Sequence, residues 1–533
     1  MASLLGTHCR LFYRTLHRDS PYFRAQLGTY NERKRLEERH VHFNITALLE
    51  AAAASINRQK SDVKSFRKLA EGGFNRVFEI TMRDGLQIVA RLPYSSTQPK
   101  SLATASEVAT MDLVRIHGVP VPVVYGYSAD DNNPVGAEYI FMEKVAGQCL
   151  GEIWFDLSDR ERLKLLGAIV DQEAKMFDIA FPAYGSIYYT SDVPEDVSLK
   201  HWFGNRSQLA IQRGPSTSAY EVLAAAANKE ISWVQSYSRP RFPFDREYRE
   251  MFDYKKVDPC EHARNLQAFL DIAPHIVPRQ EWLHRHVIRH PDLNPNNIFV
   301  DDNFNISGII DWQHSVVLPL FLHAGIPASL QNYGDPESEE LKKPEYPTNL
   351  NELDEDDRRK DLELYRRRHT HFYYIGATIT KLNTHYKALS HDKGLLRKKL
   401  YQHAAEPWEG NPIPLKADLV QIATGWSEFA NADANDAGND NHNMPTCPIA
   451  FDAGEVDATM NKMLEQEDMD GKMRILREVI GISNDGWVQF ERYHDAVAEA
   501  AEMKKQALGF AESDLERETT ERHWVFDDFD EEE

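Results

Sequence analysis

The chain has 533 residues, of which 42% are hydrophobic, and its formal net charge is -22. That length exceeds one ordinary core and predicts several units of domain size, such as a two-lobed enzyme with extensions. The acidic balance argues against non-specific binding of nucleic acid, although a nucleotide site can be locally positive on an acidic protein. Four widely spaced cysteines without a Cys-x-x-Cys pair argue against a zinc site and suit a reducing compartment. No apolar stretch reaches the roughly 18 residues of a transmembrane helix, so we expect none.

The first 24 residues contain four arginines and one acidic residue, and their leucines and Phe12 can form one apolar face. This composition is typical of a mitochondrial transit peptide, and it is equally compatible with a basic terminus that has no targeting role. We therefore expect an N-terminal extension over residues 1–60 with a possible mitochondrial presequence at 1–28. A cytoplasmic location is the alternative.

Residues 61–146 have the pattern of a small β-rich lobe. A glycine-containing segment at 71–75 precedes a β-rich run at 76–82, and Asp84-Gly85 then gives a hairpin signal. The return strand is predicted at 87–92, where a proline ends it. The neighbouring predicted elements are a helix at 31–55 with Asn44 as its N-cap, a helix at 104–117 and a strand at 139–142.

From residue 147 onward the chain is mainly helical, and we expect a C-terminal lobe over 147–420 followed by an acidic, helical extension over 421–533. Two short strands at 297–300 and 306–310, joined by a turn, interrupt the helices. Residues 320–350 hold many Pro, Gly and Asn and are predicted to form a long ordered loop. The predicted helices of this half are 159–178, 219–235, 353–390, 455–480 and 488–512.

The strongest chemical signal is the segment from His290 to Asn297, followed after a short hairpin by Asp311. Phosphoryl transfer needs a carboxylate to orient or deprotonate the attacking hydroxyl and a metal to neutralise phosphate oxygens. Asp292 is placed for the first role, and His290 is placed to orient the loop. Asn297 and Asp311 supply the neutral and anionic oxygen ligands that suit magnesium. The alternative is a polar turn before a β-hairpin, with an unrelated aspartate.

This order of residues resembles the aminoglycoside phosphotransferase and choline kinase superfamily. The pattern of that superfamily is His-x-Asp-x-x-x-x-Asn, then an apolar strand that ends in Asp, often followed by Trp, and every element is present between His290 and Trp312. The resemblance implies an α+β, protein-kinase-like two-lobed fold with a small β-rich N-lobe and a larger helical C-lobe with helical extensions. It also implies that ATP and Mg²⁺ are the cofactors.

Two N-lobe residues match kinase positions that bind phosphate. Arg91 lies on the return strand where a kinase keeps a Lys, and a guanidinium can bind phosphate bidentately in its place. Glu107, on the helix that follows, is the expected partner of Arg91. The alternatives are a strand-edge arginine exposed to solvent and an ordinary solvated helix glutamate.

The segment Gly72-Gly73-Phe74-Asn75 is shorter than a full Gly-x-Gly-x-x-Gly loop. Its glycines permit the backbone to approach phosphates closely, and Phe74 and Asn75 are placed to cover them. A plain turn is the alternative.

The hinge between the two lobes is predicted at 139–145. Backbone groups near Glu143 and Val145 would then meet adenine, with Met142 packed behind it. A buried strand is compatible with the same residues.

Within the superfamily, the chain resembles the fungal "altered inheritance of mitochondria" phosphotransferase-like proteins in segments 71–75, 105–111 and 133–139. The name of that group implies a mitochondrial location. The chain lacks an Ala-Pro-Glu after the Asp311 loop and lacks the Lys that many protein kinases have two residues after the position of Asp292. Both departures favour a small-molecule hydroxyl over a protein as the acceptor.

The sequence therefore predicts an ATP- and magnesium-dependent phosphotransferase that moves the γ-phosphoryl group to an unidentified small-molecule hydroxyl. The alternative is an ATP-binding pseudoenzyme acting as a mitochondrial maintenance or assembly factor, and the intact Asp292, Asn297 and Asp311 count against it. A further alternative is a protein- or nucleic-acid-binding module that uses the acidic extensions. That module would show no stabilisation by nucleotide.

Overall fold

The computed structural model describes residues 24–26, 37, 40–95, 97, 99–193, 209, 211, 214–432, 446–482, 487–489 and 492–529. Most of the predicted presequence and of the linker predicted at 433–448 lies outside these residues. Within them, a small antiparallel sheet and a larger helical region confirm the two-lobed α+β architecture. None of the described helices is long and apolar enough to cross a membrane.

The strands, in chain order, are β1 (Arg24–Gln26), β2 (Val63–Glu71), β3 (Asn75–Met82), β4 (Gln87–Pro93), β5 (Val124–Ser128), β6 (Tyr139–Glu143), β7 (Gln148–Cys149), β8 (His286–Ile288), β9 (Ile298–Val300), β10 (Ile306–Ile309), β11 (Val317–Pro319) and β12 (Trp487–Gln489). The α-helices are α1 (Ile45–Ser55), α2 (Leu102–Ile116), α3 (Leu150–Ile153), α4 (Asp159–Phe177), α5 (Ala219–Tyr237), α6 (Pro259–Ile276), α7 (Leu320–His323), α8 (Pro336–Glu339), α9 (Glu355–Lys381), α10 (Asn383–Leu389), α11 (Gly394–Ala405), α12 (Ile413–Thr424), α13 (Trp426–Ala432), α14 (Ala453–Ile480), α15 (Tyr493–Phe510) and α16 (Asp514–His523).

The N-lobe is one antiparallel sheet in the strand order β2-β3-β4-β6-β5. Apolar residues of its strands, such as Ile80, form a buried core together with Leu48 of α1. α1 begins where the sequence predicts an N-cap, because Asn44 Oδ1 accepts the N–H of Ala47 at 3.2 Å. The predicted hairpin of β3 and β4 is present.

The helix α2, which carries Glu107, is held at its N-terminus by the loop before β6. Glu138 accepts the backbone N–H of Ser101 at 3.1 Å and the hydroxyl of Thr104 at 2.7 Å. A carboxylate at this end also interacts favourably with the helix dipole. The segment 133–139 thereby fixes the direction in which α2 presents Glu107 to the sheet.

The C-lobe contains the larger core, in which Trp312 is fully buried. The two helices predicted at its start are α4 and α5. Each begins with a capping box, in which Ser158 or Ser218 and the glutamate three residues later satisfy each other's backbone N–H groups.

Two small sheets bring two loops of the C-lobe side by side. β9 lies between β10 and β7, and β8 pairs with β11. The chain segment 289–297 connects β8 to β9, whereas 310–316 connects β10 to β11. Each of the two loops therefore runs between the same two small sheets, and the loops meet below the N-lobe.

Four predicted elements differ from the structure. The helix predicted at 31–55 is shorter, because residues 40–44 are not helical and α1 begins only after its N-cap Asn44.

The other three elements lie in the second half of the chain. The helix predicted at 353–390 is divided into α9 and α10 at Leu382, whose side chain is buried and whose φ of -140° cannot continue a helix. The helix predicted at 488–512 starts only at α15, because β12 pairs with β1. The long loop predicted at 320–350 contains the short helices α7 and α8.

The C-terminal extension packs on the C-lobe. The Tyr248 hydroxyl donates to Asp470 of α14 at 2.7 Å. Further on, the ring of Phe529 lies 4.5 Å from the guanidinium carbon of Arg246 and 4.9 Å from that of Arg249. These cation–π contacts attach the end of the described chain to the loop before α6.

Candidate active site

Asp292 lies in the loop between β8 and β9 and is buried. The Asn297 side chain donates from Nδ2 to the Asp292 carbonyl oxygen at 2.9 Å and to its Oδ2 at 3.3 Å. The pKa of Asp292 is raised to about 7, mainly by burial and also by the nearby Asp311 charge, whereas hydrogen bonds from Asn294 and Asn297 oppose the rise. A carboxyl group with such a pKa can accept a proton near neutral pH.

His290 holds the shape of this loop. Its Nδ1 accepts the backbone N–H of Asp292 at 3.1 Å, so the proton of the neutral ring is on Nε2, which lies 2.8 Å from the Ile310 carbonyl oxygen. Burial lowers the pKa of His290 to about 4, and its ring packs edge-on against Trp312. His290 therefore joins the two loops through these contacts.

Asp311 follows β10 with a φ of 68°, in the left-handed region that most residues avoid. The strand before it packs closely on the linker between the lobes, because a Cβ on Gly308 would lie 2.5 Å from a methyl carbon of Val145. Gly308 thus allows the linker to lie directly on the strand that presents Asp311.

Arg91 of β4 is the residue on which the two lobes converge. It is buried, and its guanidinium contacts the Glu107 carboxylate, Asp311 Oδ1 at 3.0 Å and Gln313 Oε1 at 2.7 Å. Burial raises the pKa of Glu107 to about 7, although the Arg91 charge acts to lower it. The pair predicted from the sequence is present, and Arg91 also reaches the predicted metal-binding aspartate.

Gln313 is a site residue that the sequence did not predict. Its Oε1 accepts a hydrogen bond from Asn75 Nδ2 at 3.0 Å as well as from Arg91. Its position two residues after Asp311 was the only signal for it, and no motif marks it. Through Gln313, the glycine-containing segment is attached to the Asp311 loop.

The segment 72–75 forms a closed turn between β2 and β3. The Gly72 N–H donates to the Asn75 carbonyl oxygen at 2.9 Å. The Phe74 carbonyl accepts the Thr97 hydroxyl at 2.7 Å, and the Phe74 ring packs edge-on against His314. Phe74 and Asn75 therefore lie over the Asp311 loop.

The two predicted hinge residues, Glu143 and Val145, differ in whether their backbone N–H group is already hydrogen-bonded. The backbone N–H of Glu143 donates to the Val123 carbonyl at 2.8 Å, and its side chain accepts the Val123 N–H at 3.1 Å. The N–H of Val145, by contrast, has no hydrogen-bond partner among the described residues. Of the two amides, only that of Val145 is a donor that adenine could use.

The donor set at the loops suits a magnesium ion bound together with phosphates. Asn297 uses its amide nitrogen on Asp292, which leaves Oδ1 as a neutral ligand, and Asp311 receives Arg91 on Oδ1, which leaves Oδ2. Magnesium is commonly held by one or two such oxygen ligands plus phosphate and water. Among the described residues, no group of three or more His, Cys, Asp and Glu side chains could hold a metal by itself.

Several known proteins are similar to this chain in sequence. A model of the phosphotransferase enzyme family matches residues 65–322, which include both loops and Arg91. A subtelomeric hrmA-associated cluster protein of Aspergillus fumigatus is 30% identical over 508 residues, 86% of this chain and 96% of that protein. Altered inheritance of mitochondria protein 9 of Candida glabrata is 22% identical over 451 residues, 72% of this chain and 69% of that protein.

Among solved structures, a Plasmodium vivax ethanolamine kinase is 12% identical and covers 82% of this chain and 94% of its own, with a TM-score of 0.36.

Proposed function

The chain belongs to the phosphotransferase enzyme family, and we propose that it transfers the γ-phosphoryl group of ATP to a hydroxyl group of a small molecule. The observation that carries this proposal is the convergence of Arg91, from the N-lobe, with Asp311, from the C-lobe, beside the buried Asp292. Positioning and charge stabilisation of this kind are what phosphoryl transfer requires of a protein.

Each residue has a distinct proposed role. Asp292 accepts the proton of the attacking hydroxyl, with His290 holding the loop in place. Arg91, oriented by Glu107, binds phosphate oxygens, which requires that it exchange part of its contact with Asp311 and Gln313 for them. The amide of Val145 would bind adenine, whereas Gly72, Gly73, Phe74 and Asn75 would cover the phosphates.

Mg²⁺ is the proposed metal, held by Asn297 and Asp311, and when bound it neutralises charge on the phosphate oxygens. The ligand chemistry supports this choice, since both residues offer hard oxygen atoms. The variant Asp311→Asn should therefore weaken the magnesium dependence of ATP binding. The proposed contact between the Val145 amide and adenine should remain.

A metabolite extract incubated with magnesium and labelled ATP tests the proposal. The wild-type protein should form a labelled small-molecule product, and Asp292→Asn should form it at least roughly a hundredfold more slowly, since a general base contributes that much. Magnesium-ATP should raise the melting temperature of both proteins. Equal product formation by both would contradict the role of Asp292.

A second candidate is an ATP-binding protein without turnover that serves mitochondrial maintenance. It is suggested by the relatives named for altered inheritance of mitochondria and by the contact of Arg91 with Asp311, which occupies one oxygen of the predicted metal ligand. Two results together would favour this candidate. Magnesium-ATP would raise the melting temperature, and no labelled product would form with metabolite extracts from several growth conditions.

A mitochondrial location is also proposed, because relatives over more than two thirds of this chain carry "mitochondrial" in their names. Fractionation of cells that express the chain with a C-terminal tag tests it. Enrichment with mitochondrial matrix markers is expected, and exclusive recovery with cytoplasmic markers would contradict it.

A further inference from the structure

A cavity of about 440 Å³ adjoins Asp292. Its walls come from the catalytic loop at 289–293, from the segment 314–333 and from helices α10 and α11. That volume lies in the range of small-molecule sites in proteins. Because Asp292 is one of its lining residues, a hydroxyl group bound here can reach the proposed base.

The surface of this cavity is mostly apolar. Val316, Leu318, Phe321, Ile326 and Leu395 contribute to its wall. An apolar wall with few polar groups selects a ligand with a hydrocarbon body and uses the polar groups to fix its orientation. The acceptor therefore needs an apolar part in addition to its hydroxyl group.

Basic residues outnumber acidic residues among the described residues that line the cavity. Among the described lining residues, Asp292 is the only carboxylate, whereas Arg289, Lys398 and Lys399 are basic. Arg289 belongs to the scaffold, because its guanidinium contacts Glu173 and donates to the His323 carbonyl at 2.7 Å. Its charge is therefore balanced within the protein.

The two lysines of α11 also differ. Lys399 is buried, and the carboxylates that act on it, Asp418 and Glu467, do not line the cavity. Lys398 Nζ donates to the Ala324 carbonyl at 3.1 Å, and a Cβ on Gly325 would lie 2.6 Å from that nitrogen. The ammonium of Lys398 therefore lies against the 324–325 segment of the cavity wall.

We infer that the acceptor is an amphipathic hydroxyl compound with an anionic group, which Lys398 binds while the hydroxyl faces Asp292. This inference rests on the proposed function, because only phosphoryl transfer requires a hydroxyl at Asp292. In the reaction, the acceptor oxygen forms a bond to the γ-phosphorus as the bond to the β,γ-bridging oxygen breaks. ADP leaves with that electron pair, and the hydroxyl proton passes to Asp292.

A polycationic acceptor is disfavoured on the same ground. An aminoglycoside carries several ammonium groups, and like charges in a partly desolvated site repel each other strongly. The two lysines that line the cavity therefore disfavour aminoglycosides, after which the superfamily is named, and favour an acceptor of the opposite charge.

Probes of matched length test the inference with the full-length protein: ω-hydroxydecanoate, decanediol, aminodecanol and decanediol monophosphate. Binding is measured by calorimetry without ATP, and transfer is then measured with magnesium-ATP. Each anionic probe that binds should bind at least tenfold more tightly than aminodecanol. If decanediol monophosphate binds more tightly than ω-hydroxydecanoate, the anionic group of the acceptor is assigned as a phosphate. If ω-hydroxydecanoate binds more tightly, it is assigned as a carboxylate.

Lys398→Glu should reduce binding of the anionic probes at least tenfold, and Lys398→Met should reduce it less, since the apolar stem is kept. Lys387→Glu, on the exposed side of α10, is the matched control and should leave binding unchanged. Equal or tighter binding of aminodecanol, no binding of any probe, or unchanged binding by a folded Lys398→Glu protein would overturn the inference. Anion binding without transfer would instead leave the inference standing and count against the proposed function.

Discussion

The carboxamide oxygen of Gln313 lies 2.7 Å from Nη2 of Arg91, so an uncharged residue of the C-lobe fixes the cation of the N-lobe. The same oxygen accepts a hydrogen bond from Asn75, in the turn above the site. One buried acceptor thus contacts both the guanidinium that is proposed to bind phosphate and the turn that is proposed to cover it. Its removal would leave two buried donors without that acceptor.

We expect Gln313→Leu to weaken magnesium-ATP binding by roughly five- to a hundredfold, which corresponds to about 1–3 kcal/mol for buried donors left unpaired. Titration calorimetry measures the effect. Gln267→Leu, on the exposed side of α6, is the control and should bind as the wild type does. Unchanged affinity in Gln313→Leu would show that the carboxamide does not position Arg91.

Arg91→Lys should be a severe change despite its retained charge. The guanidinium contacts Glu107, Asp311 and Gln313 at once, and an ammonium on a flexible stem cannot reproduce that planar fork. We expect the rate of product formation to fall at least roughly tenfold, with weaker ATP binding. Arg83→Lys, in the exposed β3–β4 turn, is the matched control. Wild-type kinetics in the Arg91→Lys variant would remove the guanidinium from the proposed mechanism.

The pH dependence of the reaction should reflect Asp292. Because burial raises its pKa to about 7, the fraction in the basic form increases as the pH rises through 7. The logarithm of kcat/KM should therefore rise with a slope near one at acidic pH and become constant above about pH 8. A profile that is flat between about pH 5 and 8 would contradict this assignment.

The raised pKa of Asp292 also affects the stability of the fold, which should fall as the pH rises, whereas the reaction rate should increase. A carboxyl group whose pKa is higher in the folded than in the unfolded state stabilises the fold at low pH, and this stabilisation is lost as the pH rises through 7. Asp292→Asn, which stays neutral, should therefore raise the melting temperature at about pH 8 and change it little at about pH 4. Measurement without nucleotide and metal, beside the exposed control Asp302→Asn, tests this.

Phe529 should contribute to stability through its two arginine contacts. Loss of its ring in Phe529→Ala removes cation–π interactions with Arg246 and Arg249, for which we expect a cost of about 1–3 kcal/mol. Phe510→Ala, in the same extension, is the matched control, because that side chain is 82% exposed. Chemical denaturation measures both variants, and equal stabilities would show that the end of the extension is not anchored by Phe529.

The sequence predicted the site to the extent that its residues are close in the chain. Asp292 and Asn297 precede the short β9–β10 hairpin and Asp311 follows it, so their spacing alone indicated their grouping. The role of Gln313 depends on Asn75, which is 238 positions away, and no local pattern reports such a contact. The hydrogen bond from the Glu143 amide to the Val123 carbonyl was unpredictable for the same reason. It depends on the tertiary contact between β6 and the segment before β5.

The strand β12 was missed for a similar reason. Residues 487–489 adjoin a long helical stretch, and only the partner strand β1, at the other end of the chain, makes them extended. The division of α9 from α10 depends on the burial of Leu382 in the C-lobe core. Both outcomes are tertiary effects that override local helix propensity.

The contact between Arg91 and Asp311 spans 220 positions of the chain. Contacts of such long separation form late, since the entropy of closing the intervening loop must first be offset by contacts within each lobe. During synthesis the N-lobe therefore emerges with its cation and Glu107 paired but without Asp311. Until the second lobe folds, neither half alone possesses the complete candidate site, and proteolytic cleavage between the lobes before docking would separate Arg91 from Asp311.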